Sequence, residues 1–357
     1  MTLRETALAI AMRAIRENVP DAAVRRAVAA LPPCRGKTIL VAVGKAAWEM
    51  TDAAAQALGG QFDAGFLITK YGHIRAPLPR FQMFEAGHPV LDQNGIDATR
   101  AVLAGISGLS GEDRVLLLVS GGGSALFESP RIPLPELQAV SARLLACGAS
   151  ITEINTIRKR LSAVKGGRFA AACAPASVEA LLLSDVVGDR PDVIASGPAS
   201  PDRSTAAEAL AIAEGYALPL SAQARALLTE EPPHDLPNAH CTVIGGVGQL
   251  CRAAADACAD SGYAPEILTC AMTCEAREAG SLLGSIAAYQ AGRGKKRALI
   301  AGGETVVHLR GDGLGGRNQE LALAAAAQLD GISGAALLAL GSDGTDGPTD
   351  AAGGLVD

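Results

Sequence analysis

Aromatic side chains are scarce in this chain, with one Trp, four Tyr and six Phe among 357 residues. A core with so few large rings must be assembled from Ala, Leu, Val and Ile, and the 41 glycines point to many close backbone approaches. No uninterrupted apolar run reaches the ~18 residues needed to span a bilayer, so no membrane partner is expected. CxxC pairs are also missing. The eight cysteines are scattered, with only Cys270 and Cys274 close in sequence. That pattern fits free thiols in a reducing compartment better than zinc ligands or disulfides, and the expected location is the cytoplasm. Positive charge is not in excess either. A formal charge of −6 argues against a nucleic-acid-binding surface, although it leaves room for a local anion site in one cleft. The N-terminal stretch LRETALAIAMRAIRENV carries charges throughout and reads as an amphipathic helix, not a signal peptide.

What is present is an alternation of strand-like and helix-like segments, the pattern of an α/β protein with mainly parallel sheet. After two N-terminal helices, strands are expected at Thr38–Gly44, Ala64–Thr69, Phe81–Glu85, Arg114–Ser120 and Val178–Ser184. Asp92 is expected to cap a helix, and one long helix is expected over Thr152–Cys173. The segment Glu230–His240, with three prolines, reads as a linker, dividing the chain into domains at 1–235 and 236–357. Beyond it the alternation resumes, with strands at Cys241–Gly245, Ala264–Thr269, Arg297–Leu309 and Ala335–Leu340 and a helix at Asn318–Leu329.

The chemistry is expected in the loops. Ser120-Gly121-Gly122-Gly123-Ser124 ends a fully apolar strand. Glycines without Cβ atoms let backbone N–H groups face phosphate oxygens, and the two serines add hydroxyls. A tight turn is the plainer reading of the same residues. Lys45 leaves the first strand among small residues, within reach of a phosphate or simply of solvent. In the basic run 153–168, Asn155 and Lys159 lie four apart, and Arg158, Leu161, Lys165 and Arg168 would share a helical face. Asp185 and Asp189 follow another strand and suit a cation or a substrate proton, or a turn. Gly302-Gly303-Glu304 interrupts a strand, which suggests a bulge or a close ligand approach. Gly315-Gly316-Arg317-Asn318 opens a helix and makes an anion site, because a bare arginine there opposes the macrodipole. Asp343 and Asp346 lie in the aspartate-rich loop 341–354, a candidate cation or substrate loop.

Taken in order along the chain, AVGKAA, GHP at Gly87–Pro89, VSGGGSAL, EINTIRKRLSAVKGGR, LLLSDVVGD, IASGP, AGGETVV, GGRNQELALA and GSDGTDGPTDAAG resemble the type II glycerate kinases, or glycerate 2-kinases. The resemblance implies a Rossmann-like N-terminal domain and a smaller α/β C-terminal domain, with the active site between them. It implies ATP and Mg²⁺ as cofactors, D-glycerate as substrate and 2-phosphoglycerate as product, and a homodimer is the expected assembly. Lys45 and Arg317 then become the expected catalytic residues, with Asp189 as base or ligand. Ser120–Ser124, Asn155, Lys159, Gly302–Glu304, Gly315, Gly316 and Asn318 become nucleotide-binding candidates, and Asp185, Asp343 and Asp346 metal candidates. Two departures stand out: a glycine-rich turn at Gly245–Gln249, and an end at Asp357 where relatives typically continue, so the C-terminal domain is expected to be incomplete.

Some members of that family carry the name hydroxypyruvate reductase. An NAD(P)H reductase would use Gly246-Val247-Gly248 with Glu266 as a dinucleotide fingerprint, but Cys251 stands in place of the third glycine. A sugar-acid-binding protein without catalysis is the third reading.

Overall fold

The computed structural model describes residues 2–311 and 313–357, and the chain divides into two compact units, 1–19 with 246–357 and 20–245. Helix α1 (Leu3–Glu17) belongs to the smaller unit. The larger unit runs α2 (Pro20–Ala29), β1 (Thr38–Val43), α3 (Ala47–Ala57), β2 (Ala64–Lys70), β3 (Phe81–Ala86), α4 (Gln93–Gly105) and β4 (Arg114–Val119). It continues through α5 (Gly123–Leu126), α6 (Leu134–Ala146), α7 (Ile151–Arg160), α8 (Arg168–Cys173), β5 (Ser177–Leu183), α9 (Ala206–Gly215), α10 (Ala222–Leu228) and β6 (Ala239–Gly245).

Its six strands form one sheet in the order β3-β2-β1-β4-β5-β6, and every pair is parallel. The unbroken apolar runs of β1 and β4 are buried on both faces, as a covered parallel sheet requires. Ile39, Val41, Val115 and Leu117 pack with α4 and α8 on one face. Leu40, Ala42, Leu116 and Leu118 pack with α2 and α3 on the other. Helices α6, α7, α9 and α10 build a separate cluster around Leu137, Ile157, Ala209 and Leu228. Asp92 caps α4 as expected, its Oδ1 accepting from the Gly95 N–H at 3.0 Å.

The smaller unit adds α11 (Val247–Asp260), β7 (Ala264–Met272), α12 (Ala276–Gln290), β8 (Arg297–Gly303), α13 (Arg317–Leu329), β9 (Leu337–Leu340) and β10 (Gly353–Val356). β7 pairs with β8 in parallel, and β9 with β10 antiparallel. Here the shortage of large side chains has a direct use. Gly280 and Gly284 of α12 abut Leu321 and Ala325 of α13 so closely that a Cβ on either would collide. Helix α1 packs on α11, with Arg13 joined to Asp260 at 2.7 Å. No helix among the described residues is long and apolar enough to cross a membrane, and the described cysteines are free.

The expected long helix over 152–173 is two helices. Gly166 and Gly167 take left-handed φ of 57° and 79°, and the Ser162 hydroxyl accepts from the N–H groups of Val164 and Lys165. Lys165 and Arg168 therefore do not continue the face that carries Arg158. The segment expected to be a linker is instead packed into the larger unit. Leu236 joins its core, and Asn238 donates to the carbonyls of Ala170 and Ala176. The compact division consequently falls at 245/246 and not at 235/236, because β6 completes the large sheet.

Candidate active site

In a sheet ordered 3-2-1-4-5-6 the connections reverse direction between β1 and β4, which opens a crevice at the carboxyl ends of those strands. Two turns fill its rim. Gly44 and Lys45 leave β1, and Ser120–Gly123 leave β4. They are laced together: the Lys45 N–H donates to the Gly121 carbonyl at 2.8 Å, and the Ala46 N–H to Ser120 Oγ at 3.0 Å. Ser120 is buried, so its hydroxyl serves this lacing and is not presented to a ligand.

Gly122 has φ +87°, and a Cβ there would lie 2.9 Å from His88 Cδ2 and 3.3 Å from Lys45 Cγ. A side chain on Gly121 would run into the Asp185 carboxylate. Lys45, His88, Gly121, Gly122 and Asp185 thus converge on one spot, with Lys70 from the end of β2 nearby. Desolvation, followed by the positive charges of Lys45 and Lys70, lowers the His88 pKa from 6.5, while Asp185 opposes the shift. His88 was singled out in the sequence only as part of GHP. No local pattern ties it to a turn formed more than thirty residues later.

A second cluster borders the glycine turn. Ser124 Oγ lies 2.9 Å from Ser196 Oγ, and the Ser196 hydroxyl donates to Asn155 Oδ1 at 3.2 Å. Ala195 and Ser196 hold left-handed φ of 50° and 61°, a conformation costing ~1–3 kcal/mol per residue unless the surroundings enforce it. Here Gly166 and Gly167 enforce it by donating to the Ser196 and Gly197 carbonyls at 3.0 and 2.7 Å. Asp189 is also left-handed, with φ 50°, and its Oδ1 is buried without a hydrogen-bond partner. Lys159 has a different setting. It is buried, and its ammonium lies 3.5 Å from Asp202, which accounts for it without a nucleotide. Arg158, which the sequence suggested only as part of a basic face, donates to the Ser124 carbonyl at 3.1 Å.

In the smaller unit Arg317 is the first residue of α13 and is ion-paired with Glu304. The anion expected at this helix end is supplied by the chain itself. Asp346 Oδ1 accepts from the N–H of Asn318 and from its side-chain amide, both at 3.0 Å, and Oδ2 accepts from the Gln319 N–H at 2.9 Å. Burial pushes the Asp346 pKa up, but these hydrogen bonds outweigh it and hold the carboxyl below its ordinary 3.8. Asp346 therefore acts as a helix cap, with both oxygens engaged in hydrogen bonds. Gly316 has no side chain because one would meet that carboxylate, whereas a Cβ on Gly315 would meet nothing within 4 Å. Asp343 accepts from the N–H and hydroxyl of Thr345. Gly302 and Gly303 are explained by packing against α11 and β7: a Cβ on Gly302 would meet Val247 and Cys251, and one on Gly303 the Met272 backbone.

Replacing Asp346 by Ala leaves the first N–H groups of α13 uncapped, and the expected loss is ~1–3 kcal/mol. A chemical-denaturation curve of the smaller unit's transition checks this, and an unchanged midpoint would remove the cap from the account. The folded-state pKa lies below the unfolded one, so the stabilisation is present above pH ~3.8 and is lost as acid titrates the cap.

Among the described residues no group of three His, Cys, Asp or Glu side chains is placed to hold a metal. Mg²⁺ commonly takes only one or two protein carboxylates and completes its shell with water and substrate phosphates. The orphaned Asp189 oxygen is compatible with that mode. At the larger unit's crevice a Cβ on Gly121 would meet Asp185 and one on Gly122 would meet His88 and Lys45, so only bare backbone fits beside the lysine.

A family model described as a domain of unknown function, DUF4147, matches residues 6–229, and the MOFRL family model matches 297–357. The chain is 49% identical to a D-glycerate 2-kinase of Thermotoga maritima, covering 100% of this chain and 86% of that protein. A protein of Agrobacterium vitis carrying a provisional hydroxypyruvate reductase name is 40% identical over 90% of this chain and 76% of its own length. The crystal structure of a glycerate kinase from Thermotoga maritima superposes with a TM-score of 0.96 at 50% identity, over 99% of this chain and 87% of that one. With identity of this order sustained from end to end in both sequence and fold, the chain belongs to the glycerate 2-kinase family.

Proposed function

We propose that this chain transfers the γ-phosphoryl group of ATP to the 2-hydroxyl of D-glycerate, giving 2-phosphoglycerate, with Mg²⁺ as the accompanying metal. The observation that carries the reading is the Lys45 side chain, its Cγ beside a glycine turn that cannot bear side chains, at the switch point of the large sheet. Unlike Lys159 and Lys165, which are tied to Asp202 and Glu128, Lys45 has no carboxylate ion pair among the described residues. A phosphoryl group needs little covalent help and much charge neutralisation, and a free cation against bare backbone suits that need.

In this reading Lys45 bears on the transferring group, Gly121–Gly123 offer backbone to the phosphates, and Asn155 and Ser124 line the crevice through Ser196. The smaller unit carries a candidate cation of its own, Arg317, whose guanidinium is paired with Glu304. Asp189 would hold Mg²⁺, which supplies charge neutralisation on the phosphate oxygens when bound. The names of the relatives, D-glycerate 2-kinase and glycerate kinase, support the acceptor.

The reductase alternative has little geometric support. Glu266 lies at the third position of β7, far from the carboxyl end where a ribose-binding acid belongs. Val247 and Cys251 pack against Gly302. The test is ADP release from MgATP with and without D-glycerate, with the phosphorylated carbon identified by phosphorus NMR. Glycerate-dependent ADP with phosphate on carbon 2 is expected. Turnover of NADH by hydroxypyruvate without any ADP would replace the kinase reading.

A further inference from the structure

His88 has no assigned role, yet it occupies the same spot as Lys45. It follows β3, and its Nε2 edge lies against Gly122, where an added Cβ would come within 3.0 Å of that nitrogen. The ring is only partly buried, so a ligand can reach it. Neither ring nitrogen hydrogen-bonds to a described residue, whereas His73 is tied through Nδ1 to the Lys45 carbonyl. The charged groups facing His88 are Lys45 beyond β1, Lys70 at the end of β2 and Asp185 beyond β5. Two ammonium groups against one carboxylate favour the neutral imidazole. A neutral, unpartnered, reachable imidazole beside a phosphate-type turn has the form of a proton acceptor.

We propose that His88 is a catalytic residue that accepts the proton of the acceptor hydroxyl as that oxygen attacks phosphorus. The proposal rests on the kinase reading above. In the tautomer protonated at Nδ1, Nε2 takes the hydroxyl proton while the oxygen's electron pair forms the new O–P bond. The bond between the γ-phosphorus and the bridging oxygen breaks, ADP leaves with that electron pair, and the imidazolium later returns its proton to water. Lys45 meets the negative charge on the transferring group beside the same turn, so base and electrostatic partner are anchored at the ends of β3 and β1 of one sheet, with β2 between them.

The experiment compares wild type with His88→Asn and His88→Gln, which keep a polar side chain of similar reach but cannot take a proton at neutral pH. Glycerate-dependent ADP formation by wild type is established first, since its failure would refute the kinase reading itself. With an active wild type, both variants are expected to lose ~10²–10⁴-fold in kcat while KM for glycerate and ATP changes far less. The wild-type kcat/KM profile is expected to fall on the acid side with an apparent pKa below 6.5, and both variants should lose that limb. A merely structural histidine would not move the pH profile. Added imidazole should restore part of the rate of His88→Ala, which keeps the question answerable should the polar variants fold poorly. Wild-type kcat in either folded variant, or an unchanged acid limb, would overturn the assignment while leaving the kinase reading intact.

Discussion

Replacing Lys45 with alanine is expected to lower kcat at least about a hundredfold, the scale of losing one positioned charge donor from a transition state. The fold should tolerate the change. The contact that joins the two turns comes from the Lys45 backbone N–H, not from its side chain, and Ser120 continues to hold Ala46. The loss should therefore fall mainly on kcat, because the ammonium matters most when charge spreads over the transferring oxygens. Lys45→Arg is a useful companion, since it keeps the charge but replaces a compact ammonium with a planar fork. Steady-state kinetics in MgATP and D-glycerate reads both variants. Full activity in a folded Lys45→Ala protein would take the residue out of the mechanism.

The largest stability effect is expected at a residue the sequence offered only as part of a basic run. Lys165 is fully buried, with its ammonium 2.8 Å from the Phe127 carbonyl and 3.0 Å from Glu128, itself completely buried. Burial lowers the Lys165 pKa to about 8, against the opposing pull of Glu128. Lys165→Met strands the Glu128 carboxylate in the core, and losses of about 3–5 kcal/mol are usual for half a buried pair. Lys165→Met combined with Glu128→Leu should recover most of that, because neither charge then remains. Urea unfolding followed on the larger unit separates the cases, and equal stability of the single and double variants would contradict the argument. The pH dependence has a definite sign. From about pH 8 to about pH 10.5 the unfolded chain holds the lysine proton that the folded one has released. Stability from this group alone therefore rises with pH across that window. The pair also sits next to the glycine turn in the chain, since Phe127 is the C-cap of α5, whose N-cap is Gly122.

Features written within one stretch of chain were legible in the sequence. The runs of β1 and β4, each stopped by glycine, were readable as buried strands because length and branching are local properties, and so was the Asp92 cap. The glycine turn and Lys45 were readable for the same reason. What escaped depends on distant partners. Gly166 and Gly167 are plain in the sequence, but the basic run around them resembled one continuous helix until their left-handed φ and the Ser196 and Gly197 carbonyls showed the break. The prolines of 230–240 suggested a linker between domains, while the core position of Leu236 depends on the packing of β5 and α8. Asp346 looked like a cation ligand because nothing in its neighbourhood announces the helix start 28 positions away that it caps. His88 had no local signature of the turn it faces.

The packing of α1 against α11 has a consequence for how the polypeptide is made. Helix α1 leaves the ribosome before its partner is made, because the surface that receives it is encoded beyond the entire larger unit. At typical translation rates of ~5–20 residues per second it waits on the order of tens of seconds. Its apolar stripe, including Leu8 and Met12 at 49% and 43% exposure even when docked, is open to other chains throughout that interval. The larger unit is contiguous and can collapse as it emerges, whereas the smaller one cannot close until the larger unit has been made. Nascent-chain aggregation and chaperone capture should accordingly concentrate on this amino-terminal helix, and solubilising substitutions on its outer face should raise the yield of native protein without altering the mature enzyme's chemistry.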